Sequence, residues 1–112
     1  MTEPAAGASA AIYRIRLMFE WGGGALWCGN DAARERFDVG PIEDVLPLSP
    51  RTRERLEELG AWHDQSLNWE YPPDPGPWTP DEEARFAAAA EEMRATIQNE
   101  LGPEFEVVYK PL

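Results

Sequence analysis

Apolar and polar residues alternate with a period of two from Tyr13. Tyr13, Ile15, Leu17, Phe19 and Trp21 fall on one side, and Arg14, Arg16 and Glu20 on the other. That spacing predicts a half-buried strand whose aromatic and aliphatic row faces a core. Gly22-Gly23-Gly24 interrupts it, and Ala25-Leu26-Trp27-Cys28 is expected to return as the second arm of a hairpin. Gly29-Asn30-Asp31 reads as a turn that caps a short helical piece over Ala32–Phe37, halted by Gly40-Pro41. Residues 38–48 are expected to be irregular, with Ile42, Val45, Leu46 and Leu48 closing the core and a short fourth strand open within 38–46.

The period then lengthens. Ser49-Pro50 has the form of a helix cap followed by proline at the first helical position. Leu56, Leu59, Trp62 or His63, Ser66 and Trp69 recur at three- and four-residue steps, predicting a helix to about Trp69. Gly60 in its middle costs about 1 kcal/mol relative to alanine and calls for a kink or a close contact. The prolines at 72, 73, 75 and 77 make residues 71–78 extended. Thr79-Pro80-Asp81-Glu82 starts a second long helix with a capping box, and its stripe is Phe86, Ala90, Met93, Ile97 and Leu101. Gly102-Pro103 ends it, and Phe105, Val107 and Tyr109 alternate in a last strand.

The predicted order is β-β-α-α-β, an α+β domain over residues 11–112 after a frayed tail at 1–10. Three strands, or four, form a mainly antiparallel sheet with both long helices on one face. The first strand is the most apolar and belongs in the centre.

Charge alters this picture. The formal net charge is −11, and all of it falls in residues 54–106, where fourteen acids face Arg55, Arg85 and Arg94. Such a field repels nucleic acid and anionic membranes, and attracts a basic protein. No window approaches the ~18 apolar residues of a membrane span. A lone Cys28 and no signal-like start suggest the cytoplasm.

The candidate chemistry is sparse. His63 is the single histidine, and no spacing of histidine or cysteine suits a metal. Cys28 reads as a small core residue more readily than as a nucleophile served by His63. The glycine triplet lacks the helix and Lys-Ser/Thr pair of a phosphate loop. No catalytic residue and no cofactor is expected. The arginines at 14, 16, 34, 36, 51, 53 and 55 are expected to pair with the chain's own acids.

Residues 62–80 stand out, holding three of five tryptophans and five of eleven prolines. Trp62 and Trp69 on one helix face suit core packing beneath a proline arm. The alternative leaves Trp69, Tyr71 and Trp78 partly exposed beside Glu57, Asp64, Glu70 and Asp74. An aromatic platform ringed by acids fits a basic protein surface. The favoured expectation is a non-enzymatic acidic binding protein, in its most concrete form an immunity or antitoxin-like inhibitor of a basic toxin or nuclease. Two others stay open. One is an accessory or self-associating subunit using the edge of the last strand. The other is a small enzyme or ligand-binding protein with His63, Asp64 or Tyr71 in a pocket under the proline arm.

The runs Leu17-Met18-Phe19-Glu20-Trp21-Gly22, Leu46-Pro47-Leu48-Ser49-Pro50, Trp62-His63-Asp64 and Leu67-Asn68-Trp69 resemble a group of small uncharacterised actinobacterial proteins. The resemblance covers about residues 11–108. It implies a free-standing small domain from a bacterial cytoplasm, and it transfers no activity and no functional residue.

Overall fold

A computed structural model describes residues 11–38, 40–71 and 76–111. The elements are β1 (Tyr13–Leu17), β2 (Leu26–Cys28), α1 (Asp31–Phe37), α2 (Pro50–Asp64), α3 (Pro80–Leu101) and β3 (Phe105–Tyr109). The sheet order is β2-β1-β3, so the most apolar strand is central as its composition required. Tyr13, Ile15 and Leu17 share the helix-covered face with Leu26, Cys28, Phe105 and Val107, while Arg14, Arg16 and Trp27 look away. The long helices, and the short α1 through Ala33 and Phe37, pack on that one face.

Three expectations are corrected. First, β1 and β2 are antiparallel, but β3 runs parallel to β1, so the sheet is mixed. The cause is the turn after α3. Gly102 adopts φ 88° and donates its N–H to Gln98, which folds β3 back along α3 in the direction of β1. Second, no fourth strand forms among the described residues of 38–46. Ile42 donates one backbone bond to Leu26, and the Glu43 carboxylate accepts the Ala25 and Leu26 N–H groups at 2.9 and 3.1 Å. A side chain occupies the place of a neighbouring strand. Third, β1 stops at Leu17 and α2 at Asp64, so Trp21 and Trp69 lie outside the regular elements to which their periodicity assigned them.

The helix starts agree with the sequence. Asn30, Ser49 and Thr79 each accept the N–H three residues on, from Ala33, Thr52 and Glu82. The Asn30 amide also bonds the Ile12 carbonyl and accepts the Arg14 N–H, tying α1 to β1. Glu82 does not close its box by reaching back. Its carboxylate accepts the Trp62 indole N–H at 2.9 Å, joining α3 to α2. The core is led by Ile15, Leu17, Leu26, Leu46, Leu59 and Ile97, all fully buried.

The outer edge of β3 is closed as firmly as that of β2. Gln98 donates to the Phe105 carbonyl at 2.7 Å and accepts the Val107 N–H at 2.9 Å, and Arg94 donates to the Val107 carbonyl. An unpaired row of donors and acceptors would recruit another strand. Here helix side chains satisfy much of that row.

Candidate functional site

Past Leu17 the chain continues as an arm beyond the sheet. Met18 donates to Ala25, Glu20 to Gly24 and Gly23 to Glu20, which brings the hairpin tip back on itself. Gly22 at the tip has φ 73°, a left-handed conformation that glycine adopts without steric cost. The tip docks on the C-terminal end of α2. Gly22 donates its N–H to the Asp64 carboxylate at 2.9 Å, and the Trp21 indole donates to the Ser66 hydroxyl at 2.7 Å. Ser66 in turn donates to the His63 carbonyl, and the Trp21 ring stacks on His63 with centroids 5.1 Å apart.

After Asp64 the backbone tightens through turns, Gln65 donating to Trp62 and Ser66 to His63. Trp69 folds back so that its indole donates to the Asp64 carbonyl at 2.6 Å. Asn68 accepts the N–H groups of both Glu70 and Tyr71, which fixes the chain beyond it. The Trp21 and Trp69 rings are consequently held while facing water, and the backbone of Tyr71 is fixed beside them. Trp69 is 57% exposed, Tyr71 58% and Trp21 39%. Large apolar rings fixed in solvent have the character of interface anchors.

Gly76 lies against this helix end. A Cβ there would lie 1.7 Å from the Ser66 carbonyl oxygen, so only glycine permits the approach. Trp78 then turns inward, half-buried against Trp62, His63 and Phe86. Its indole N–H is buried without a partner among the described residues.

Between the hairpin arm, the 41–46 loop and α2 lies a groove of about 320 Å³. Glu20, Glu43, Asp44, Glu57 and Asp64 line it, with Arg53 on its wall and Phe19, Leu56 and Ala25 providing apolar surface. A second groove, of about 530 Å³ between α2 and α3, carries mixed charge that is largely answered locally. Arg55 pairs there with Glu58, and Glu100 accepts from Ser49 and Thr52.

The site residues expected from sequence therefore divide. Trp69, Glu70 and Tyr71 are exposed together, and Glu57 and Asp64 line the carboxylate groove. Asp64 is not a free acid, because it holds Gly22. Trp78 is half-buried, with its ring bedded on Phe86 and Trp62. Asp74 lies outside the described residues. Trp21, assigned to the core row by its parity, is instead a surface ring. The three glycines that follow it were the available signal that the strand had ended. Glu20, Glu43 and Asp44 carried no sequence signal, because loop geometry brings them to α2.

His63 is 7% exposed and sits among Phe19, Trp21, Trp78 and Phe86. Burial holds its pKa below the usual histidine value, while the neighbouring Asp64 pulls the other way. Nδ1 is buried with no partner among the described residues. His63 is thus interred, Asp64 is engaged with Gly22, and Tyr71 points into solvent. Neither of the two grooves described brings the three together. Cys28 is buried with its thiol donating to the Asp38 carbonyl, and burial raises its pKa. Such a thiol is a poor nucleophile. Among the described residues no group of acids, histidine and cysteine is placed to hold a metal, and no helix is long and apolar enough to cross a membrane. Of the seven arginines expected to pair with the chain's own acids, Arg14 pairs with Glu106, Arg34 with Asp31 and Arg55 with Glu58, whereas Arg36 lies over the Tyr13 and Phe37 rings and Arg53 donates to the Leu46 carbonyl.

Residues 13–112 match the model of a protein family described as Serratia CdiI immunity protein-like. No curated protein matches the chain.

Proposed function

The chain belongs to the Serratia CdiI immunity protein-like family, and from that premise we propose that it neutralises a toxin by covering a basic site on it. It acts as a binding protein and performs no chemistry of its own. The observation that carries the choice of surface is the pair of exposed indoles, Trp21 and Trp69, fixed by hydrogen bonds with the exposed Tyr71 near them, beside a groove lined by five carboxylates. Fixed rings lose little entropy on docking, so most of their buried area contributes to affinity. The carboxylates orient the encounter and disfavour partners with acidic surfaces.

Co-expression with a candidate toxin from the same genome tests the proposal. Growth should be rescued, and the two proteins should purify together at low salt. The double substitution Trp69→Ala with Tyr71→Ala should weaken the complex by about 2 kcal/mol or more, roughly thirtyfold in Kd. Unchanged affinity in that variant would place the interface elsewhere. Failure to rescue or to co-purify would remove the toxin as partner.

A further inference from the structure

Gly60 has no structural reason to be glycine. It lies inside the fifteen-residue α2, its φ is not positive, and a Cβ there would meet nothing within 4 Å. The sequence suggested a kink or a close packing contact, and no contact requires glycine there. What Gly60 does is line the carboxylate groove, where any longer side chain would project into the open space. A helix that accepts its least favourable non-proline residue without a packing return keeps that space open for something else.

The groove's walls specify the occupant. Glu43 is committed to the Ala25 and Leu26 N–H groups, and Asp64 to Gly22. Glu20, Asp44 and Glu57 reach the groove from three separate segments, and their carboxylates make no hydrogen bond or ion pair among the described residues. Arg53 offsets one of these charges from the groove wall but ion-pairs with none of them, since its guanidinium donates to the Leu46 carbonyl at 2.9 Å, and the lining stays net negative. Below the carboxylates lie Phe19 and Leu56, both buried. An apolar floor under a ring of separated acceptors suits a side chain with a methylene stem and a planar head bearing several donors. Lysine matches the stem but offers one compact charge.

We infer that this groove is a socket for a single arginine side chain presented by the partner. Its guanidinium is received by Glu20, Asp44 and Glu57 while its stem lies on Phe19 and Leu56. For the identity of that partner the inference rests on the toxin-binding reading, but its chemistry is independent of it.

The test uses blocked Gly-Arg-Gly, Gly-Lys-Gly and Gly-citrulline-Gly tripeptides titrated into the full chain at low ionic strength, read by amide NMR shifts. The arginine peptide should give saturable shifts at Gly23, Gly24 and Ala61. The lysine peptide should bind several-fold more weakly, and the neutral citrulline isostere should not saturate. Gly60→Met should abolish the shifts while its unfolding midpoint stays level or rises, and Glu57→Gln, on an exposed helix face, should weaken binding about tenfold. Equal binding of arginine and lysine, shifts scattered over all acidic surfaces, or full binding by Gly60→Met would each overturn the socket. Tripeptide failure alongside a stable toxin complex sinks the socket alone. Tripeptide binding without a toxin complex sinks only the functional reading.

Discussion

His63 shows how one side chain couples the surface to the core. Its ring supports Trp21 on one face and meets Phe19, Phe86 and Trp78 around it, and this burial favours its neutral form. Asp64, next along α2, is the neighbouring charge that favours the protonated form, and its carboxylate already serves Gly22. Because the folded-state pKa lies below the unfolded one, the unfolded chain takes up the proton first as pH falls. Stability associated with His63 is therefore complete above about pH 6.5 and declines below it. Urea midpoints between pH 8 and 5 should fall for the natural chain and stay flatter for His63→Phe, with Trp21 fluorescence reporting the same loss. Glu100 responds in a lower range. Burial raises its pKa, but hydrogen bonds from Thr52 and Ser49 outweigh that and leave it lowered, so its contribution is lost only as pH falls through the carboxylate region. A pH slope in His63→Phe equal to that of the natural chain would contradict the assignment.

At the scale of elements, Gln98 bears on whether the chain associates with itself. One amide satisfies the Phe105 carbonyl and the Val107 N–H, the groups through which another strand would pair. Gln98→Ala should cost about 1–3 kcal/mol for the polar groups left unpaired, and should also turn β3 into an accepting edge. Sedimentation should then show association rising with concentration, absent in the natural chain. A monomeric Gln98→Ala would mean that other features protect the edge. The same scale shows how far periodicity could be read. The α3 stripe of Phe86, Ala90, Met93 and Ile97 is buried as its spacing required, because a long helix against a sheet must bury one face. The α2 stripe fails beyond His63. Ser66 and Trp69 kept the helical step in sequence, but turns follow Asp64 and carry Trp69 to the surface. A spacing rule has meaning only while the backbone it presupposes persists.

For the whole molecule, the proposed binding of a basic partner implies that the excess negative charge governs encounter more than the final contact. A chain of formal charge −11 meeting a basic partner should associate quickly at low salt. Raising ionic strength from about 20 mM to 200 mM should slow association by about tenfold or more and change dissociation little, as stopped-flow fluorescence of the exposed tryptophans would show. Equal slowing of both steps would point to ion pairs that hold the complex and do not merely steer it. The field is not uniform at the surface, since the exposed rings and the carboxylate groove occupy the end where the hairpin arm meets α2.

The α+β class, the central place of β1, the helix caps and the acidity of the second half were all determined by the residues in order. Each depends on neighbours a few positions apart, or on a sum over the chain. The direction of β3, the closing of both sheet edges and the meeting of Glu20, Asp44 and Glu57 were decided only by tertiary structure. Those contacts join segments up to tens of residues apart, and their energy depends on distance in space, which chain order does not record. Trp21 belongs to both accounts: its ring was visible in the sequence, but its side of the surface was set by His63 and Ser66, more than forty positions away.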